Sequence, residues 1–156
     1  MFYLAVYSFM NLGAFGVLSL LGGEGEERVL ISDLAGLGFR QPALGLAMAL
    51  FMISLGGIPP TAGFMGKVYV FSTALRAGLV PLVIVGVLNS VVSVFYYLRV
   101  TVAMYMSEEP AGGGVEVSWA VPGTVALLAT LALTLWWGIQ AQALLVTAQE
   151  SVRGLL

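Results

Sequence analysis

The sequence contains no cysteine and no histidine. Thiolate catalysis, Cys/His metal sites, haem ligation by histidine and a Ser-His-Asp triad are therefore excluded within it. Charge is scarce too, at 9% of the 156 residues, against roughly 25% in soluble domains. No basic run is present and the net charge is −2, so the electrostatic footprint that nucleic-acid binding needs is missing. What the chain has in abundance is apolar surface. Hydrophobic residues make up 60%, and the mean hydropathy is +1.01. A soluble domain of this size cannot hide that much apolar area, so an integral membrane protein is expected.

The charges fall at intervals that mark out the spans. Residues 2–22 carry none, and the run from Phe2 to Leu21 has no basic segment before it. It is long enough to cross a bilayer, which takes about 20 helical residues, and too long for the core of a signal peptide. A membrane chain that opens inside its first span reads as the later part of a longer one. Residues 23–40 hold Glu24, Glu26, Glu27, Arg28, Asp33 and Arg40 and read as a polar loop. A second loop is expected from Ser107 to Glu116, around Pro110 and Gly112-Gly113-Gly114. The predicted spans are about 2–22, 41–75, 78–106 and 118–140, forming one transmembrane domain over 1–156. Helices are expected, because the long apolar runs lack the ten-residue alternation of a barrel. The stretch from Gln140 to Val152 is polar and apolar by turns, and reads as interfacial or as the end of the last helix.

The run 41–75 is too long for one straight crossing and tight for two. Its middle reads Gly56-Gly57-Ile58-Pro59-Pro60-Thr61-Ala62-Gly63-Phe64. Neither proline has an N–H to donate, so the carbonyls of Leu55 and Gly56 lose their helical partners and the helix must break near 57–63. A hairpin between two crossings and one discontinuous helix both fit. The second is tolerated where the open backbone is buried in protein or lines a wet cavity. Thr61 is placed to donate to a freed carbonyl.

Lys67 is the one charged side chain deep in an apolar run. An ammonium there costs roughly 2.5–3.5 kcal/mol on insertion scales. It lies about two turns beyond Pro60, and helical side chains tilt toward the N-terminus, so it is expected to point back at the break. Gly63, four residues earlier on the same face, is expected to leave it room. Desolvation and the positive end of the second half-helix oppose its charge, while water and freed carbonyls favour it. A lysine balanced between these influences can exchange protons. The bland alternative, a lysine that snorkels to a nearby interface, stands level with this one. Tyr7 and Asn11 share a face of the first span and form a possible polar path, although polar residues in lipid more often bridge helices. Asn89, Ser90 and Ser93 carry the same ambiguity, and Arg99 reads as an interface anchor.

The stretch Leu55 to Val70, with Gly57-Ile58-Pro59-Pro60-Thr61-Ala62-Gly63-Phe64-Met65-Gly66-Lys67, resembles the antiporter-like subunits of complex I, the proton-pumping NADH:quinone oxidoreductase. It is most similar to the chain N branch, the bacterial counterpart of mitochondrial subunit 2. Leu12-Gly13-Ala14-Phe15-Gly16-Val17, Asp33-Leu34-Ala35-Gly36-Leu37 and Tyr96-Tyr97-Leu98-Arg99-Val100 agree in order and spacing. The resemblance implies an all-α, inverted-repeat membrane fold with a discontinuous helix in each repeat. This chain would supply its last four helices, with 41–75 broken at Gly57–Pro60. Lys67 matches the family's lysine on that helix, a proton-relay position in the hydrated axis. The family's other intramembrane glutamate and lysines have no counterpart here, so the chain would hold one station of a proton path.

The resemblance also implies no cofactor in this chain, with NADH, FMN, iron–sulfur clusters and quinone handled by partner subunits, and no metal. Expected partners are other membrane subunits of the complex, the upstream helices of the same subunit, and lipid. The bacterial inner membrane is the implied location. Four crossings would put Arg28, Arg40 and Arg99 on one side and Arg76 and Arg153 on the other, a vote for cytoplasmic loops. A cation/proton antiporter or membrane hydrogenase subunit is the near alternative. A structural membrane scaffold without transport is the distant one.

Overall fold

The computed structural model describes residues 2–21, 30–108, 117 and 121–140. Glu24, Glu26, Glu27 and Arg28, most of the second expected loop and the stretch after Gln140 lie outside the described residues. The described residues form helices joined by short turns, with no strand among them. They form α1 (Phe2–Leu20), a 3-10 turn (Ile31–Leu34), α2 (Leu37–Arg40), α3 (Pro42–Gly56), α4 (Ala62–Arg76), α5 (Val80–Met106) and α6 (Val121–Ile139). Among them, α1, α5 and α6 are long and apolar enough to cross a membrane, while α3 is apolar but shorter. At 15 residues, α3 is about 22 Å long, short of a hydrocarbon core of about 30 Å.

Local chemistry sets these boundaries. Pro42 opens α3 and a proline also stands in the first turn of α5, positions where the missing N–H has no helical role. At the end of α3, Gly57 adopts φ +79°, a left-handed conformation that suits glycine. Its N–H donates to Ser54 O (3.0 Å) and that of Ile58 donates to Ile53 O (3.2 Å), closing a Schellman motif. Thr61 caps α4: its hydroxyl accepts from Phe64 N–H at 3.4 Å and donates to Ile58 O at 2.7 Å. The non-helical residues between α3 and α4 are thus 57–61.

The packing order shows how the two short helices lie. Along α5, Gly86 faces the Phe71 ring, Ser93 meets Lys67, Val94 faces Gly56, and Tyr105 packs on Gly45 and Gly38. The partner numbers fall steadily from 71 to 38 as α5 advances. Along α1, Tyr3 meets Gly66, Met10 meets Gly63 and Ser54, and Gly13 abuts Phe51. A folded-back hairpin would bring α3 and α4 residues to the same level of α1. Instead α4, the break and α3 follow one another along both neighbours, so the two helices lie end to end. Helix α6 runs antiparallel to α1, with Gly123 against Leu20 and the Trp137 ring edge-on to Phe9 at 5.1 Å. The core is a seam of apolar residues drawn mainly from α1, α3 and the far end of α5. Phe51, Met10, Leu44, Met104 and Val17 are fully buried. In lipid such close packing, rather than exclusion of water, holds helices together.

The expected polar loop at 23–40 needs correction in its second half. Residues 31–40 form helical turns, and Leu34, Ala35 and Leu37 are buried. They dock beneath the end of α5, where Phe39 meets Tyr105 edge-on at 6.0 Å. Arg40 folds back on the same segment, donating to Ala35 O at 3.0 Å.

Candidate functional site

The break removes helical donors from the last carbonyls of α3, and the Lys67 side chain answers one of them. Nζ donates to Gly56 O at 2.9 Å and to Ser93 Oγ at 3.2 Å. Gly56 is the residue whose carbonyl a helical residue 60 would have bonded, and residue 60 is proline. Ser93 in turn donates to Ser90 O at 2.7 Å. Thirteen residues of α5 precede Ser93 and thirteen follow it. At 1.5 Å per residue the ammonium stands about 20 Å from either end of α5.

A cavity of about 450 Å³ opens beside the ammonium. Tyr3 and Tyr7 of α1 line it from one side, and Asn89, Ser90, Tyr96 and Tyr97 of α5 from another. Tyr3 stacks on Tyr7 at 5.9 Å, and Tyr96 lies 4.6 Å from Tyr97 between ring centroids. The lining therefore offers hydroxyls and an amide to water, within a wall otherwise made by Leu55, Val70 and Phe71. A site that is roomy and carries several polar partners can hold water.

The residues singled out from sequence separate into groups. Tyr7 shares the cavity with Lys67. Asn11 does not: its amide donates to Tyr7 O of its own helix at 2.8 Å. Gly63 was expected to leave room for Lys67, but its nearest neighbours are Ser54 and Met10. It lies against the Ser54 carbonyl, with no space for a Cβ, and joins α4 to α3. Gly57 is the glycine beneath the lysine, where a Cβ would meet Nζ at 3.1 Å and Cδ at 2.9 Å. Pro59 and Pro60 are exposed, joined by a cis peptide, and the Pro60 carbonyl faces Gly138 of α6. Arg99 is exposed on α5. Of the buried polar residues that the sequence reading passed over, Ser54, Thr130 and Thr134, it is Ser54 that joins the site. Ser54 Oγ donates to Met10 Sδ at 2.8 Å and accepts from Gly63 N–H at 3.3 Å. Its signal was its isolation, as the one hydroxyl or charged side chain of α3.

Fold and site together define a helical integral membrane protein in which a lysine bonds the last carbonyl of a short apolar helix. The profile of the NADH:quinone oxidoreductase/Mrp antiporter transmembrane family matches residues 1–93. Subunit N of NADH-quinone oxidoreductase from Trichlorobacter lovleyi is 47% identical over 156 residues, covering 98% of this chain and 31% of the relative. The same subunit from Chloroflexus aggregans is 46% identical over 135 residues, 81% of this chain and 28% of its own length. A chain of respiratory complex I from Thermus thermophilus, solved with bound aureothin, superposes with a TM-score of 0.73 at 31% identity, over 90% of this chain and 32% of that one. The chain belongs to the NADH:quinone oxidoreductase/Mrp antiporter family. It spans about a third of the length of these relatives.

Proposed function

We propose that this chain carries one station of a proton path in a membrane subunit of NADH:quinone oxidoreductase, with Lys67 as the proton relay. One observation above all supports the reading: the ammonium sits at the mid-length of α5, bonded to Gly56 O and Ser93 Oγ beside a hydroxyl-lined cavity. In the charged state, Gly56 O and Ser93 Oγ both accept from Nζ. After the proton leaves, the neutral amine becomes an acceptor. The Ser93 hydroxyl can then turn from Ser90 O and donate to it, so that both states keep partners. Water in the cavity would deliver and remove the proton, with Tyr7 as part of its polar lining.

In this reading α3 and α4 form one interrupted crossing within a single transmembrane domain. Gly57, Pro59, Pro60, Thr61 and Gly63 shape the interruption, as broken helices do at transporter ion sites. Redox chemistry and its cofactors belong to partner subunits. The cavity's outer members, Asn89 and Tyr96, remain exposed, and further helices of the same subunit would cover them. The membrane would be the bacterial inner membrane, as the relatives are bacterial. The family's name also covers Mrp antiporters, but the relatives at 46–47% identity are named as the oxidoreductase.

The test replaces Lys67 by Met in the assembled complex, in sealed vesicles oxidising NADH. The expected result is a reduced number of protons moved per electron. A wild-type ratio would overturn the reading in favour of a structural scaffold.

A further inference from the structure

Ser54 is almost wholly buried, with 1% of its surface exposed. A buried hydroxyl is costly unless both its donor and its acceptor sides are used. Helical serines usually return their proton to a carbonyl of their own helix. Ser8 does so to Leu4 O, Ser19 to Gly16 O, Ser90 to Gly86 O and Ser93 to Ser90 O. Ser54 breaks this habit. Its proton goes to Met10 Sδ on α1, and its oxygen takes the Gly63 N–H, one of the first-turn donors of α4 that no helical carbonyl can reach. The Ser54 carbonyl lies against Gly63 at the same point, too close for any side chain there. Two residues on is Gly56, whose carbonyl receives the Lys67 ammonium.

We infer that Ser54 is a positioning residue that sets the gap between α3 and α4 and so holds Gly56 O in register with Lys67. It does this by tying the end of one half-helix to the start of the next and anchoring both on α1. Its role rests on the reading of Lys67 as the proton relay. The titratable groups facing that lysine are Tyr3 and Tyr7 from α1 and Tyr96 and Tyr97 from α5, and none of them touches the Ser54 hydroxyl.

The experiment compares Ser54→Ala, Ser54→Cys and Gly63→Ala with Lys67→Met in the assembled complex, reading protons per electron against pH. Ser54→Ala is expected to lower the ratio at least twofold and to move the half-maximal pH of pumping by about 1 pH unit, the scale of one lost hydrogen bond near a charged group. Ser54→Cys keeps a donor and a weak acceptor and is expected to recover most of the wild-type profile. Gly63→Ala opens the same joint from the other side and is expected to reproduce Ser54→Ala. If Ser54→Ala does not assemble, the Gly63→Ala and Ser54→Cys profiles still decide. Wild-type profiles in all three, with Lys67→Met impaired, would overturn the Ser54 inference and leave the relay reading intact. A wild-type ratio in Lys67→Met would overturn the relay reading itself.

Discussion

Replacing Gly57 by alanine perturbs the site through two separable effects. The first is backbone strain. Gly57 holds φ +79°, and an L-residue with a Cβ costs about 1–2 kcal/mol there. The second is contact. The new Cβ would stand 2.9 Å from Lys67 Cδ and 3.1 Å from Nζ, so the lysine must shift, and its bond to Gly56 O is expected to be lost. Losing a hydrogen bond from a charged donor costs about 1.5–3 kcal/mol. Gly78 supplies the control, because it has φ +75° and open space around its Cβ position. Gly78→Ala therefore carries the strain alone. The excess of about 1.5 kcal/mol in Gly57→Ala is roughly a tenfold loss of correctly seated lysine. Both variants are expected to lower the thermal midpoint of the subunit in the complex. Gly57→Ala alone is expected to lower protons per electron, measured in sealed vesicles with electron transfer recorded in parallel. Wild-type pumping by Gly57→Ala, or an equal pumping loss in Gly78→Ala, would show that Gly57 does not seat the lysine.

Three further outcomes follow from the packing. Gly13→Ala drives a Cβ into the Phe51 ring and is expected to destabilise the α1–α3 contact by about 1–3 kcal/mol, seen as less assembled complex and a lower melting temperature. Asn11→Leu deletes an amide that bonds its own helix. Its effect on stability should stay within about 0.5 kcal/mol and its pumping should match wild type, which a melting curve and a proton count check together. Thr61→Cys reports on the break. With Met10 and Gly138 packed against the break, an impermeant thiol reagent should label it slowly from either side, whereas fast labelling from one side alone would indicate a surface turn.

Much of the break was legible in the sequence because its cause is local. Two prolines remove two donors wherever they stand, so the freed carbonyl of Gly56 follows from residue 60 alone. The aim of Lys67 toward that carbonyl follows from helical geometry, which needs only the spacing from Pro60. Hairpin and end-to-end arrangements could not be told apart, since that depends on the order in which α1 and α5 meet the two short helices. Ser54 stayed hidden for the same reason: its partners Met10 and Gly63 lie 44 and 9 residues away. Gly63 packs on Ser54 and Met10 and not under Lys67, because the pattern shows a missing side chain but not what fills the space. Residues 31–40 looked polar by composition, yet Leu34 and Leu37 are buried where the segment packs on the distant helices α3 and α5.

A relay role requires Lys67 to gain and lose a proton during turnover. The most direct measurement is the nitrogen-15 signal of its Nζ in the assembled complex, assigned by its absence in Lys67→Met and recorded at rest and during NADH oxidation. The expected result is a balance of ammonium and neutral amine that differs between the two conditions. A signal that remains the same ammonium in both would contradict it.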